Sequence, residues 1–201
     1  MKLSLKKEII MDYNTVMERL GFDKHSTSMI ENLIAESYAV KYTDQLLKNG
    51  QYVLDSEALS DEEKILLMVG VANVLKNKSL IDVLVKKAVK EEVIHLDQVG
   101  EVLVLSSSMT FHNTLGKVRG FVGGKDLAEL EAHDNFQFDE QKKISDRVVE
   151  LVCLGVSITN GCKMCTRAHF DKAKEAGIDQ KEMELALNIV AFVNSFDKLD
   201  Y

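Results

Sequence analysis

The chain contains no proline among its 201 residues, whereas protein sequences contain roughly 5% on average. Proline breaks or kinks a helix when it lies in the interior, so its absence removes the commonest interruption to helical segments. The sequence also shows little of the apolar–polar alternation that is typical of strands. Hydrophobic residues make up 46% of the chain, which is enough to build a core. We therefore predict an all-α fold with no significant β-sheet.

Helix boundaries are marked by capping residues and glycines. Three pairs fit the capping-box pattern, in which a Ser or Asp precedes a Glu by three residues: Ser28 with Glu31, Ser60 with Glu63, and Asp179 with Glu182. Three glycines are predicted helix stops: Gly21, Gly50 and Gly177. Together these signals predict helices at 4–20, 28–48, 61–76, 79–92, 97–116, 125–133, 143–159, 162–176 and 180–197, with residues 119–142 the most irregular.

A weak internal repeat relates two parts of the chain. Residues 59–88 align with residues 144–173 at an offset of 85, which places Ser60 on Ser145 and Gly70 on Gly155. We predict a single domain over 1–201 with two pseudo-symmetric helical repeats. The N-terminal repeat, 59–118, is degenerate, and the C-terminal repeat, 144–197, carries the motif described next.

Residues 159–173 read TNGCKMCTRAHFDKA and place Cys162, Cys165 and His169 at intervals of three and four. If a helix begins at Cys162, the two cysteines lie roughly 5–6 Å apart, within the range that a disulfide accepts. A helix N-terminus favours a thiolate and a nearby imidazole can take the proton. The aligned residues of the first repeat are Asn77, Leu80 and Leu84, so the fold itself does not require Cys or His here.

Glu150 lies within the apolar segment VVELVCLGVSI, residues 148–158. A buried carboxylate is costly unless it is paired or functional, and the aligned residue of the first repeat is Ile65. We expect Glu150 to be desolvated and to hold or pass a proton near neutral pH. The alternative is a surface carboxylate, or one paired with Arg147. Cys153, three residues further on, is interpreted as a small core residue.

The residues alone leave three interpretations of Cys162, Cys165 and His169. They form a dithiol redox centre, a zinc site with Glu150 as a distant fourth ligand, or ordinary packing in a helical module. Structural zinc sites pair a CxxC with a second knuckle or a His pair, and the sequence contains no second knuckle.

The pattern E-x11-C-x2-C-x3-H, formed by Glu150, Cys162, Cys165 and His169, resembles the carboxymuconolactone decarboxylase-like superfamily, in particular its alkylhydroperoxidase D branch. The segment ITNGCKMCTRAHFDKAKEAGID carries the likeness, which covers roughly residues 144–197. Residues 59–118 are similar to the degenerate N-terminal half of that family. The resemblance implies the family's helical fold.

The resemblance also implies roles for the four residues. Cys165 would attack the peroxide, Cys162 would resolve it by closing a disulfide, and His169 and Glu150 would relay protons. Position 164 departs from the best-known members, which carry a histidine where this chain has Met164. The helix dipole by itself favours Cys162 as the reactive thiol, but the histidine one turn after Cys165 favours Cys165, and we assign the attack to Cys165.

Partners and location follow from charge and from the resemblance. The net charge of −7 disfavours nucleic acid, and no apolar run is long enough to cross a membrane. The first residues, MKLSLKKEII, lack a signal-peptide pattern, so we expect a cytoplasmic protein with reduced thiols. The resemblance implies a hydroperoxide substrate, a dithiol or lipoyl-protein reductant, a peroxiredoxin as electron acceptor, a homo-oligomer (trimer or hexamer), and no cofactor. The alternatives are a decarboxylase acting on a small organic acid and a structural zinc-binding module.

Overall fold

A computed structural model of the chain describes residues 15–22, 40–122 and 142–198. These ranges contain helices and connecting turns without any strand, which confirms the all-α prediction. None of these helices is both long enough and apolar enough to cross a membrane. Residues 15–20 are helical, and the longer helices are α1 (Val40–Asp55), α2 (Asp61–Leu75), α3 (Lys78–Lys90), α4 (Leu96–Val122), α5 (Asp146–Thr159), α6 (Lys163–Glu175) and α7 (Gln180–Asp197).

The capping signals locate most helix ends correctly. Both capping boxes in the described ranges form, at Ser60 before α2 and at Asp179 before α7. Gly21 and Gly177 adopt positive φ, as helix-ending glycines do. Two further predictions fall outside the described ranges: the Ser28–Glu31 capping box and the helix at 125–133.

Two predicted helix ends are wrong. Gly50 was predicted to stop a helix, yet it lies inside α1, which continues to Asp55. A β-carbon at Gly50 would lie 2.7 Å from the ring of Phe192, so this glycine serves a close helix contact. Similarly, a helix was predicted to end at residue 116, yet α4 continues to Val122.

Two helices, α2 and α5, form the centre of the core. In α2 every residue from Leu66 to Ala72 is buried, and in α5 every residue from Leu151 to Ser157 is buried. A helix that is buried on all sides must be surrounded by other helices. Accordingly, α2 packs against α3, α4, α5 and α7, and α5 packs against α2, α4, α6 and α7.

The two central helices cross at a pair of glycines. A β-carbon at Gly70 would lie 2.7 Å from a methyl of Val152, and one at Gly155 would lie 2.7 Å from a methyl of Leu67. Since Val152 and Gly155 follow Leu67 and Gly70 by 85 residues, the contact is reciprocal. A pseudo-twofold axis between two repeats would produce such a contact. The pseudo-symmetric repeat itself stays a prediction.

Arg147, in the first turn of α5, joins the starts of two other helices. Its Nε donates to Glu63 (2.8 Å) and its Nη2 donates to Glu182 (2.6 Å). Both glutamates are the third-position residues of capping boxes. A third bond runs from Nη1 to the carbonyl of Gly177, at 3.0 Å. One guanidinium therefore ties together the N-termini of α2, α5 and α7.

The charges of this cluster are stabilised by their hydrogen bonds. Burial pushes the pKa of Glu63 upward, but bonds from the backbone and side chain of Ser60 and from Arg147 outweigh it, and the pKa lies below its ordinary value. The bond to Glu182 is the main reason that the pKa of Arg147 is raised. A depressed carboxyl pKa stabilises the fold above the unfolded-state value, and that contribution is lost as the pH falls through the folded-state value.

Replacing Arg147 by Met should lower the free energy of unfolding by about 1–3 kcal/mol near pH 7, because two partly buried carboxylates lose a charged hydrogen-bond partner. The difference from wild type should shrink below about pH 4, where the carboxyl of Glu63, whose folded-state pKa is lowered, becomes protonated. Urea unfolding at the two pH values measures both effects.

The matched control is Arg167→Met, since Arg167 pairs with Asp171 on the surface of α6 and is 81% exposed. That change should stay within about 0.5 kcal/mol of wild type. Equal losses for the two variants would contradict the clamping role of Arg147.

Candidate active site

The CxxC pair lies at the start of α6, where the sequence places a break before a helix. After α5 ends at Thr159, Gly161 adopts a φ of 68° and turns the chain into α6. Cys162 and Cys165 are joined by a disulfide, with their Cα atoms 5.3 Å apart. Cys162 is only 1% exposed, whereas Cys165 is half-buried. Of the two sulfur-bearing residues, Cys165 is therefore the more accessible from solvent.

Cys162 is the N-cap of α6 rather than a member of its first turn. Its Sγ accepts a hydrogen bond from the backbone N–H of Cys165 at 3.3 Å. In α3 the aligned residue, Asn77, caps in the same way through its side-chain oxygen, 2.9 Å from the N–H of Leu80. Asn77 and Cys162 thus both cap the helix that follows them. As an N-cap atom, Sγ of Cys162 also lies at the positive end of the α6 dipole.

His169 and Glu150 form a pair that bridges α5 and α6. Nδ1 of His169 lies 2.8 Å from Oε2 of Glu150, and the side chains are 14% and 17% exposed. Glu150 was expected to be desolvated, but it keeps some exposure and has a partner. Arg147, the alternative partner, is bonded to Glu63 and Glu182 instead. His169 follows Cys165 by one turn of α6, so the pair lies close to the disulfide along the same helix.

Cys153 is the third cysteine and lies in the core at 3% exposure. Burial raises the pKa of its thiol well above the ordinary value, and the nearby carboxylate of Glu150 raises it further against a smaller opposite effect from Lys172. A thiol that stays protonated is a poor nucleophile. Cys153 is therefore a core residue, as the sequence indicated, and is not part of the disulfide formed by Cys162 and Cys165.

Gly116 of α4 lies directly against the disulfide, and sequence reasoning missed it. A β-carbon at this position would lie 2.8 Å from Sγ of Cys165 and 2.9 Å from Sγ of Cys162. One turn earlier, the side chain of Asn113 is fully buried and accepts a hydrogen bond from Ser157 of α5 at 3.2 Å. A glycine inside a helical pattern is a signal for close packing, but the pattern does not indicate which residues approach it.

Comparison with known proteins relates this arrangement to a family. A model of the carboxymuconolactone decarboxylase family matches residues 127–201, a range that contains Glu150, Cys162, Cys165 and His169. An alkyl hydroperoxide reductase AhpD from Anaeromyxobacter sp. (strain Fw109-5) is 26% identical over 148 residues, covering 73% of this chain and 78% of the relative. These matches support the resemblance of the chain to the carboxymuconolactone decarboxylase-like superfamily.

Two further relatives carry the same name. The alkyl hydroperoxide reductase AhpD of Coxiella burnetii (strain Dugway 5J108-111) is 26% identical over 141 residues, covering 69% of this chain and 77% of the relative. That of Mycolicibacterium paratuberculosis is 29% identical over 89 residues, covering 44% and 49%. The chain is thus similar to AhpD proteins well beyond the motif itself, since the longer alignments cover more than two thirds of it.

The cap formed by Cys162 can be tested by itself under reducing conditions. We expect Cys162→Ala to lower the free energy of unfolding by about 1 kcal/mol relative to Cys162→Ser, since serine keeps a side-chain acceptor for the N–H of Cys165 and alanine has none. Denaturant unfolding in excess reductant removes any contribution from the disulfide. Equal stabilities for the two variants would show that the side chain at 162 does not cap α6.

Proposed function

We propose that the chain is a thiol-dependent antioxidant protein, an alkyl hydroperoxide reductase that works through disulfide chemistry at Cys162 and Cys165. The observation that carries the proposal is the disulfide at the start of α6, with His169 one turn further along α6 and paired with Glu150 of α5. Two thiols that close to a disulfide supply the two electrons that a hydroperoxide consumes. The relatives named alkyl hydroperoxide reductase support the same chemistry.

In the first step the Cys165 thiolate attacks a hydroperoxide oxygen. The O–O bond breaks, the alkoxide accepts a proton from His169 and leaves as an alcohol, and Cys165 becomes a sulfenic acid. The greater exposure of Cys165 supports this assignment, because the substrate must reach the attacking sulfur. The nearly complete burial of Cys162 argues against a direct encounter between that sulfur and a hydroperoxide.

In the second step Cys162 attacks the sulfur of Cys165 and displaces hydroxide, which leaves as water after protonation. The cap supports this role, because the N–H of Cys165 and the α6 dipole both stabilise negative charge on Sγ of Cys162. The dipole argument for Cys162 and the access argument for Cys165 are therefore compatible. Each favours a different thiol because the two thiols act in different steps.

The His169–Glu150 pair supplies and recovers the protons. With Nδ1 held by the carboxylate of Glu150, the imidazole is fixed in orientation and its Nε2 is the ring nitrogen that exchanges protons. Glu150 acts through His169 and does not contact the sulfurs in this scheme. Because Met164 replaces the histidine of the best-known members, His169 is the single imidazole within the motif.

The oxidised pair must be reduced to complete the cycle. An external dithiol, or a lipoyl group on another protein, supplies two electrons and two protons by thiol–disulfide exchange at Cys165, the more accessible of the two cysteines. The resemblance adds a peroxiredoxin as a further electron acceptor. The proposal requires no cofactor or metal, and we propose a cytoplasmic location, where reducing thiols are available. The net charge of −7 supports neither nucleic acid nor an anionic membrane surface as a partner.

Association between copies of the chain is supported by one face of α4. Val104, Phe111 and Val118 recur every seven residues and are 58%, 50% and 42% exposed. Exposed apolar side chains in such a row are typical of contacts between helices. A second copy fits this face, because antiparallel α4 helices would bring Asp97 at one end close to Arg119 at the other. We propose a homo-oligomer. The resemblance implies a trimer or a hexamer, and of these two only the hexamer can contain an antiparallel, twofold contact between α4 helices.

Two alternatives have less support. A zinc module needs thiolate ligands, but the sulfurs of Cys162 and Cys165 are bonded to each other. The described residues contain no group of three or more His, Cys, Asp or Glu side chains that could hold a metal ion. A decarboxylase acting on a small organic acid is compatible with the family's description, but a disulfide-forming pair has no role in that reaction.

Cys165→Ser should abolish hydroperoxide consumption in the presence of a dithiol reductant, because the attacking sulfur is gone. In the absence of any added thiol, pre-reduced Cys162→Ser should consume about one equivalent and stop with a sulfenic acid on Cys165, since no resolving thiol lies within reach. Trapping with dimedone followed by mass spectrometry locates the modified residue.

Cys153→Ala is the matched control and should keep the complete cycle, since that thiol is buried in the core. A sulfenic acid on Cys162 in the Cys165→Ser protein, with none on Cys165 in the Cys162→Ser protein, would exchange the two roles.

Glu150→Gln should fold normally and lower the rate of thiol oxidation by ~10²–10⁴, because His169 would lose its charged partner and with it the usual contribution of a positioned acid–base group. Stopped-flow measurement of peroxide-driven oxidation gives the rate, and denaturant unfolding gives the stability. Glu175→Gln, at an exposed position at the end of α6, is the control and should change neither. A stable Glu150→Ile protein, which copies Ile65 of the first repeat, with an unchanged oxidation rate would remove Glu150 from the mechanism.

A further inference from the structure

The backbone of α4 forms one wall of the disulfide site, and Gly116 is the residue at the point of contact. The two distances from its missing β-carbon, 2.8 Å to Cys165 and 2.9 Å to Cys162, are well below the separation of about 3.5–4.0 Å at which non-bonded heavy atoms pack. Both sulfurs of the closed disulfide therefore occupy space that any other residue at 116 would fill. A hydroperoxide or a reductant must approach the sulfurs from another side.

The wall is held in place by bonds to the end of α5. Ser157 donates to the buried side chain of Asn113 at 3.2 Å, and Asn160 donates to Oγ1 of Thr110 at 3.3 Å. Asn160 caps the C-terminus of α5, two residues before Cys162. Since α4 is tied to the segment that carries the first cysteine, α4 cannot move away from the sulfurs without breaking these contacts.

We propose that Gly116 is a positioning residue for the redox pair, which sets the equilibrium between the disulfide and the dithiol. In the disulfide, both sulfurs are held against α4. In the dithiol, the half-exposed Cys165 can turn its side chain to another staggered rotamer. A β-carbon at 116 therefore destabilises the closed form more than the open form.

The inference rests on the proposed function only in requiring that the disulfide opens and closes reversibly. The reaction that measures it is the exchange with a simple dithiol. The Sγ–Sγ bond of Cys162 and Cys165 breaks, two electrons and two protons pass from the dithiol to the protein, and the reductant closes to its own disulfide. No hydroperoxide is needed, so the measurement does not depend on the peroxidase step.

The test uses Gly116→Ala in the full chain. Wild type and variant are equilibrated with mixtures of reduced and oxidised dithiothreitol, quenched by alkylation under denaturing conditions, and counted by mass spectrometry for free thiols. We expect the equilibrium of Gly116→Ala to shift toward the dithiol by at least ~10-fold, in line with the usual cost of overpacking. The thermal midpoint should fall more in the oxidised form than in the reduced form.

Two other glycines of α4 provide matched controls. Apart from its chain neighbours and the nearby backbone of its own helix, neither Gly100 nor Gly120 has a heavy atom of the described residues within 4 Å of its β-carbon position. Alanine at either site therefore adds a methyl group to the same helix without a clash with those residues. Both controls should keep the wild-type redox equilibrium within about twofold. They should also raise stability slightly, since alanine is the better helix former.

The outcomes separate the inference from the proposed function. An unchanged redox equilibrium in Gly116→Ala, or a shift toward the disulfide, would overturn the inference. So would an equal loss of stability in both redox forms, or a variant that does not fold even when reduced, because Gly116 would then serve the fold and not the pair. A wild-type protein whose disulfide cannot be reduced reversibly would instead overturn the proposed function.

Discussion

The rest of the structure depends on the close crossing of α2 and α5. Gly70 and Gly155 allow the two buried helices to approach until side chains of one touch the backbone of the other. Because the remaining helices pack around this crossing, it fixes the position of α5 in the molecule. The CxxC segment follows the last turn of α5 by only three residues, so the crossing also fixes where the disulfide lies. A side chain at either glycine would displace the site together with the core.

The site adds its chemistry to positions that the fold uses for other purposes. In the sequence alignment of residues 59–88 with residues 144–173, Ile65 aligns with Glu150 and Asn77 aligns with Cys162. Asn77 and Cys162 have the same structural role, since each caps the helix that follows it. The pair of His169 and Glu150, by contrast, replaces apolar residues, and each member satisfies the polar group of the other. The reactive groups are therefore accommodated locally, and the hydrophobic core remains intact.

The sequence predicted what depends on local chemistry. Missing proline, capping boxes such as Ser60 with Glu63, and the spacing of Cys162, Cys165 and His169 indicated helices, their ends and a cysteine pair within bonding reach. It did not predict what depends on contacts between distant residues. Gly50 looked like a helix stop because glycine favours such positions. In the structure it lies inside α1, where the lack of a side chain leaves room for the ring of Phe192, more than a hundred residues away.

The same limit applies to Arg147 and Gly116. The partners of Arg147 lie 84 and 35 residues away, and neither spacing follows from helical periodicity. The sulfurs beside Gly116 belong to another helix. The sequence also overestimated the desolvation of Glu150, because an apolar segment does not show that one edge of a helix faces a polar partner.

The disulfide spans a separation of only three residues, and this has a consequence for the denatured state. A covalent link stabilises a fold mainly by restricting the unfolded chain, and the effect grows with the length of the loop it closes. On that model a loop of four residues contributes roughly 2 kcal/mol, against about 4.7 kcal/mol for a loop of 100 residues. Opening the bond therefore adds only a small conformational entropy to the unfolded chain. If the bond is reduced, as the proposed function requires, the constraint lost from the unfolded chain is smaller than for a disulfide that closes a long loop.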